Sequence, residues 1–555
     1  MGKLYYGDNL KILEEKIADE SVDLIYLDPP FSSNANYNLL FKEKTGEQSK
    51  SQIRAFTDTW EWGIESRKTL DYLVTGDNVP PEVSNAIRSI VDLLKTNDLS
   101  AYLVMMTVRL LELHRVLKKT GSLYLHCDPT ASHYLKVILD AIFKPVNFRN
   151  EITWQRTFAH NDPKKYGNVA DVILFYTKTE DYTWNVQYTP YREEYVKNFF
   201  RGKDEKGQFQ LITLTGPKTS EGESGKEWKG YSPTSSGRSW SVPLRVRDEL
   251  GIPPDAGIIN TLELLEKAGR IVWSKNGIPR FKEYLHEMPG VPLQNIWTDI
   301  PPISSQSKER IGYQTQKPIA LLERILLASS NEGDVVLDPF CGCGTAVHAA
   351  QKLKRDWIGI DITHLAINLI RNRLSDAFGI TPEVEGEPTD VSGALALAEQ
   401  DRFQFQAWAL SLIKARPSAS KVADHGIDGV IYNQKGQGKY YVGLVQVKSG
   451  NVKPSDIRDL RGVIEREKAD YGVFLTLKEA TRDMKVEAVE AGFLDTAWGD
   501  KIPKLQILTI QELLDGKRPE YPSFPDTYQK AEQEKRMLSR GGRAARLDSF
   551  DTSED

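Results

Sequence analysis

Short apolar runs alternate with stretches of helical period over much of the chain, the pattern of strands threaded through helices. Leu4-Tyr5-Tyr6 predicts a short strand that stops at Gly7-Asp8, and Ile12, Leu13 and Ile17 share one face of a following helix. Leu24-Ile25-Tyr26-Leu27 predicts a buried parallel strand that ends abruptly in Asp28-Pro29-Pro30-Phe31. A helix through Leu110, Leu111 and Leu113 leads to a strand over 122–128, then a helix over 132–143 and two strands over 150–156 and 171–176. Later, a helix through Leu321, Leu322, Ile325 and Leu326 precedes a strand over 334–338. A helix through Val347, Ala350 and Leu353 and a strand over 357–361 follow. The class is α/β.

Three stretches break the rhythm. From 34 to 97 the sequence is polar and carries Trp60 and Trp62, which predicts an insertion over a site rather than core. Residues 189–308 scatter Gly, Ser, Pro, Trp and Lys without lasting period. Such loops suit contact with phosphates and base edges, or form an elaborate surface insertion. Residues 379–393, with Pro382 and Pro388, read as a linker. Beyond it, helix (403–415), strand (429–432), strand (441–448), helix and strand (471–476) predict a second α/β domain over 394–520. Residues 521–555 are polar, with Arg540, Arg543 and Arg546, and read as a disordered tail.

Composition narrows the class. The 555 residues are 40% hydrophobic and 27% charged, an ordinary soluble balance with room for several domains. Apolar runs fall short of membrane-spanning length and Met1-Gly2-Lys3-Leu4 lacks a secretory apolar region, so the expectation is a cytoplasmic protein with no membrane partner. Three cysteines, Cys127, Cys341 and Cys343, exclude a disulfide framework and a four-cysteine zinc site. The net charge of -5 neither signals nor excludes a nucleic-acid partner.

The chemistry gathers at strand ends. Two prolines after Asp28 donate no backbone hydrogen bond, so their turn is stiff and leaves carbonyl acceptors beside a carboxylate and the flat face of Phe31. Together these groups would hold a planar ring bearing an amino group, and a nucleobase fits. The strand ending at Asp338 runs into the glycine-rich turn Pro339-Phe340-Cys341-Gly342-Cys343-Gly344-Thr345, where a ligand can approach the backbone and a helix N-terminus. Asp361 ends the next strand, where an acid accepts from ribose hydroxyls in such folds. Dinucleotide binding fails on detail, because Val347 stands in place of the third glycine of its fingerprint. Asp8 is open between a cofactor contact and a helix N-cap. His126, Cys127 and Asp128 alternate across a strand and read as structural, and Cys341 with Cys343 is a weak metal pair with no complementary ligands nearby.

These motifs resemble those of the β class of DNA amino-methyltransferases, in which a DPPY/DPPF motif precedes a DPFCGxGT cofactor loop with a variable region between. The resemblance covers most of residues 1–378 and implies a Rossmann-like sheet there. It implies that Asp28 and the Pro29 carbonyl accept from an exocyclic amine of a flipped base, with Pro30 in the same turn, and that Phe31 stacks on that base. It further implies a pocket for S-adenosylmethionine lined by Asp8, Lys317 of Gln314-Thr315-Gln316-Lys317-Pro318, Asp338, Pro339, Phe340, Gly342, Gly344, Thr345 and Asp361, and a target-recognition region at 189–308. Asp as first letter favours adenine, with the cytosine amine as the alternative. The implied partner is double-stranded DNA; RNA is a further class, and a homodimer is left open.

In the second domain, Asp428 starts one strand and Gln446 and Lys448 share a face of the next, a trio able to coordinate a divalent ion and hold a water. This resembles the PD-(D/E)xK nuclease fold in its Mrr-like form. By that resemblance Asp428, Gln446 and the Val447 carbonyl would ligate Mg²⁺, and Lys448 would orient the attacking water. A neutral glutamine weakens metal attraction, so a DNA-clamping domain without cleavage stays open. Glu399 is a weak candidate for an assisting acid.

Overall fold

The computed structural model describes residues 2–30, 36–42, 48–57, 62–159, 164–217, 222–253, 255–304, 306–313, 315–418, 426–436, 439–525, 527, 531 and 533–534. Phe31, Trp60, Gln314 and the arginines of the tail lie outside them. The chain divides into two compact units, Met1–Asn185 with Gln294–Leu538, and Val186–Leu293.

A nine-stranded sheet organises the larger unit. From one edge to the other its strands are Ile296–Trp297, Phe148–Gln155, Ala170–Thr177, Leu117–Cys127, Val22–Leu27, Val335–Asp338, Asp356–Asp361, Lys3–Tyr6 and Val384–Glu385. All pairings are parallel except those of Ala170–Thr177, which runs against both neighbours. Leu24, Ile25 and Leu27 are fully buried, as an apolar run in a doubly covered parallel strand requires. The chain after Val22–Leu27 builds the sheet to one side, and the chain after Val335–Asp338 builds it to the other. Their shared edge is therefore a topological switch point, where open α/β sheets take ligands.

Helix Asp98–Val116, capped by Asn97 accepting from Ser100 N–H at 2.9 Å, buries most of its surface in this unit's core. Residues 34–97 depart from the expected loose insertion. Helices Ile64–Thr75 and Pro81–Leu94 occupy their second half, and Val83, Ile87, Ile90 and Val91 bury into the same core as Leu103 and Leu139. The spacing of those four residues is that of one helical face, worth about 1.5–3 kcal/mol per fully buried aliphatic side chain. Only the short hairpin of Asn36–Lys42 and Gln48–Thr57 stands apart as a two-stranded sheet.

The expected linker is also structured. Val384–Glu385 pairs with Leu4 and Tyr5 as the last strand of the large sheet, and Glu387 is held by Arg371 at 2.6 Å. The second α/β domain follows as a five-stranded sheet, in the order Arg416–Pro417, Gly429–Gly436, Lys439–Lys448, Tyr471–Thr476 and Leu505–Thr509. Helix Arg402–Leu412 covers one face through Phe405, Trp408 and Ala409, and Pro454–Arg466 covers the other through Ile457, Leu460 and Ile464.

The chain beyond 520, expected to be disordered, is partly ordered. Tyr521 donates to the Ile413 carbonyl at 2.8 Å, Asn433 Nδ2 donates to the Ser523 carbonyl at 2.7 Å, and Glu534 meets His348 at 3.1 Å.

The smaller unit has its own core, of Leu214, Trp228, Trp240, Leu262, Leu265 and Phe281 among others. A four-stranded sheet (Ile271–Trp273, Pro279–Tyr284, Gly207–Thr213, Gly202–Asp204) and helix Ile258–Lys267 frame it, and Trp228 stacks on Trp273 with centroids 5.4 Å apart. The stretch read as aperiodic loops is thus a folded body bounded at Val186–Leu293 rather than 189–308. Its tryptophans supply core volume.

Candidate active sites

Strands Val22–Leu27 and Val335–Asp338 lie side by side with Leu337 opposite Ile25, so the Asp28-Pro29-Pro30 turn and the Asp338–Thr345 turn leave the same edge of the sheet. The two motifs, distant in sequence, are neighbours. Lys317 joins them: its ammonium, on a residue 9% exposed, forms an ion pair with Asp28 Oδ2. The lysine expected among the cofactor contacts therefore meets the acid of the base pocket.

The glycine turn is braced from within. Gly342 (φ +51°) and Gly344 (φ +73°) are in the left-handed region, and a Cβ on Gly344 would come 2.7 Å from Ile370 Cγ1. Gly342 N–H donates to Asp361 Oδ2 at 2.9 Å, and Thr363 donates to Asp361 Oδ1 through its N–H at 2.9 Å and its hydroxyl at 2.8 Å. Asp361 thus shapes the loop with both oxygens. Arg373, buried, donates to the Cys343 carbonyl and to Thr345 Oγ1, both at 3.2 Å. Asn9 Nδ2 donates to the Pro339 carbonyl at 2.8 Å, and Asn9 Oδ1 accepts from Arg109 Nε at 2.6 Å.

Asp338 is 4% exposed, and burial pushes its carboxyl up to about 8, with Asp28 and Asp361 adding like charge. One oxygen accepts from Phe340 N–H at 3.0 Å. Asp8 caps helix Asn9–Lys16 by accepting from Leu10 N–H at 3.0 Å and pairs with Arg109 at 2.8 Å. Cys341 donates to the Asp338 carbonyl at 3.1 Å, and both cysteines of the turn are buried. No cluster of metal-ligating side chains occurs among the described residues.

A buried polar chain that sequence reasoning missed runs below the base pocket. Tyr26, on the strand face shared with Asp28, meets His126 Nδ1 at 3.0 Å; His126 Nε2 meets Asp171 at 3.1 Å, and Arg156 pairs with Asp171 at 3.0 Å. Burial pushes the Asp171 carboxyl up, but the His126 contact, with Lys317 and Arg156 adding positive charge, outweighs it and holds it below the usual range. Cys127 points into the apolar core and Asp128 Oδ1 accepts from Thr130 N–H at 3.0 Å, so the three adjacent residues are structural, as alternation along a strand requires.

In the second domain, Asp428 N–H donates to the Val445 carbonyl at 2.8 Å, fixing the acid at the start of its strand. Its Oδ2 accepts from Val447 N–H at 2.7 Å and its Oδ1 from Gln406 Nε2 at 2.6 Å, and burial pushes its carboxyl up to about 6. Gln446 is 5% exposed and its Oε1 has no partner among the described residues. A buried carbonyl that accepts from no donor suits a hard cation. Lys448 Nζ is 3.9 Å from Asp456 Oδ1. Gln406, on helix Arg402–Leu412, is a site residue that the sequence did not reveal, whereas Glu399 is exposed.

Residues 22–372 match the N6/N4 methyltransferase family, described as DNA methylase, and residues 397–505 match the Mrr catalytic family, described as restriction endonuclease. The chain belongs to the DNA methylase family and carries a restriction-endonuclease domain fused behind it. It is 34% identical over 277 residues to the type II methyltransferase M.EcaI of Enterobacter cloacae, covering 50% of this chain and 58% of that one. It is 46% identical over 83 residues to the DNA adenine methyltransferase YhdJ of Escherichia coli, covering 15% and 28%. The chain spans little more than half the length of the first of these relatives. A DNA modification methylase of Thermus thermophilus, solved with S-adenosylmethionine, aligns at 16% identity and a TM-score of 0.33, covering 69% of this chain and 98% of that one.

Proposed function

We propose that the chain transfers a methyl group from S-adenosylmethionine to the exocyclic amine of a flipped base in double-stranded DNA, adenine before cytosine. The observation that carries this reading is the shared edge of the Asp28 and Asp338 turns, bridged by Lys317. The glycine turn, the N-terminus of helix Thr345–Lys352 and the Asp338 carboxyl are the groups that would hold the cofactor, whose sulfonium supplies an electrophilic methyl. Asp28 and the Pro29 carbonyl accept from the amine, drawing its lone pair out of the ring. Phe31 stacks on the base by the family resemblance. With the cofactor bound, its methyl carbon would pass from sulfur to the amine nitrogen, and Asp28 would take the amine proton. No cysteine nucleophile is involved: Cys341 and Cys343 are buried, and burial pushes both thiols up. Adenine is favoured by Asp as the first residue of the motif and by the adenine specificity of the short, 46% identical Escherichia coli relative. In this reading the protein acts in the cytoplasm, where its DNA substrate lies; separately, among the described residues no helix is long and apolar enough to cross a membrane.

Residues 394–520 form a Mg²⁺-dependent nuclease in this reading, with Asp428 and Gln446 holding the ion and Lys448 orienting the water. A second reading, in which this domain only clamps DNA, is favoured by the amides of Gln406 and Gln446 at its centre. Unmethylated plasmid incubated with Mg²⁺ separates them: wild type nicks and Lys448→Ala does not, or neither does. For the methyltransferase half, tritium from labelled S-adenosylmethionine should enter duplex DNA and not RNA.

A further inference from the structure

Of the polar chain below the base pocket, only Arg156 reaches solvent: its side chain is 52% exposed, whereas Tyr26, His126 and Asp171 are buried. Strand Phe148–Gln155, which it follows, runs antiparallel to Ala170–Thr177, which runs antiparallel to Leu117–Cys127, and that strand is parallel to Val22–Leu27. Arg156 therefore leaves the sheet at the edge that carries the Asp28 turn. Its partner Asp171 belongs to a strand two places from Val22–Leu27, about 10 Å along that edge at the usual strand spacing.

The arginine is held, not loose. Its N–H and that of Thr157 both donate to the Val169 carbonyl, at 2.8 and 3.2 Å. Its Nε lies 3.0 Å from Asp171 Oδ1, and His126 meets the other carboxylate oxygen at 3.1 Å. A guanidinium that served only to balance a carboxylate would bind both oxygens with two parallel N–H groups. Here the histidine has one oxygen, so the arginine meets the acid through Nε. Its terminal nitrogens make no hydrogen bond among the described residues. A guanidinium fixed along one side and unspent at its tip matches a phosphate, and fixing it beforehand lowers the ordering cost of binding. Phe158 and Tyr166, which follow it, are 70% and 98% exposed, and rings beside bases suit an opened nucleic-acid strand.

Turning a base out of a duplex rotates its nucleotide about the backbone, so the phosphates beside it need a fixed partner. We propose that Arg156 is such a partner: it takes a backbone phosphate next to the flipped nucleotide, and Asp171 orients it for that contact. The proposal deepens the methyltransferase reading of the Asp28 edge and rests on it.

The test is tritium transfer by the full chain from saturating labelled S-adenosylmethionine, measured against duplex concentration in EDTA over a series of NaCl concentrations. Arg156→Gln should raise the KM for duplex about tenfold, leave kcat within about threefold, and reduce the slope of log KM against log[NaCl] by about one. Arg156→Lys keeps the charge without the planar fork and should fall between the two. The double variant Asp171→Asn, Arg156→Gln has no carboxylate to balance, so its KM should stay raised. This carries the test should Arg156→Gln alone fail to fold, and melting curves establish the fold of each variant. An arginine that only balances Asp171 gives the opposite: a lower melting temperature for Arg156→Gln, an unchanged KM and slope, and a double variant like wild type. That result, or a loss confined to kcat, overturns the proposal and leaves the methyltransferase reading intact. Absence of label from duplex with wild type overturns that reading and the proposal with it.

Discussion

Lys317 and Asp28 stand 289 residues apart in sequence and form a largely buried ion pair at the edge where the two sequence motifs meet. The lysine belongs to the element expected to complete the cofactor pocket, so in the proposed reaction the pair would link the base side to the cofactor side. Lys317→Met should lower methyl-transfer turnover by about 100-fold, the scale of a lost acid–base contact, while changing the affinity for S-adenosylmethionine far less. Equal losses in turnover and in cofactor binding would assign Lys317 to the cofactor instead.

The glycine turn makes a steric demand. At Gly344 the left-handed backbone and the 2.7 Å approach of Ile370 both oppose a side chain. Gly344→Val should cost about 1–3 kcal/mol in urea unfolding and abolish cofactor binding by calorimetry.

Asp338 gives a pH signature. Its folded pKa, about 8, lies above the ordinary carboxyl value, so the folded state binds this proton more tightly than the unfolded chain. The stability it contributes is full below about pH 4 and is lost as pH rises through about 8. Asp338→Asn, which cannot ionise, should therefore melt higher than wild type by about 2–4 °C at pH 9, with the gap closing toward pH 5. A gap constant across that range would contradict the assignment.

How far the sequence carries depends on how local each feature is. Asp28 and Asp338 were legible because a strand that ends in an acid, prolines or glycines writes its own carboxyl edge. Val83, Ile87, Ile90 and Val91 also carried a readable helical face, obscured by the polar, Trp-bearing stretch in front of it. Val384–Glu385 had no such signal: a two-residue edge strand exists only because Leu4 and Tyr5 offer it a partner. Gln406 was equally silent, since its meeting with Asp428 is set by how helix Arg402–Leu412 packs on the sheet and not by spacing. The core of Val186–Leu293 hid for a related reason, its tryptophans being spread among short strands with no lasting period.

The buried chain of Tyr26, His126 and Asp171, with exposed Arg156 at its end, should matter to folding. His126→Ala leaves the buried Tyr26 phenol without the histidine and Asp171 with Arg156 alone, and should destabilise by about 1–3 kcal/mol in denaturant titration. Tyr26→Phe loses one neutral hydrogen bond and leaves the histidine–aspartate pair, and should cost only about 1 kcal/mol.

The central claim is that the amine of a flipped base is methylated between the Asp28 turn and the glycine turn. Its most direct test is tritium transfer from labelled S-adenosylmethionine to duplex DNA by wild type and Asp28→Ala, with cofactor affinity measured in parallel. The account predicts label on adenine N6 with wild type, its loss in the variant, and cofactor affinity within a few-fold of wild type. Undiminished transfer by a folded Asp28→Ala enzyme would contradict it.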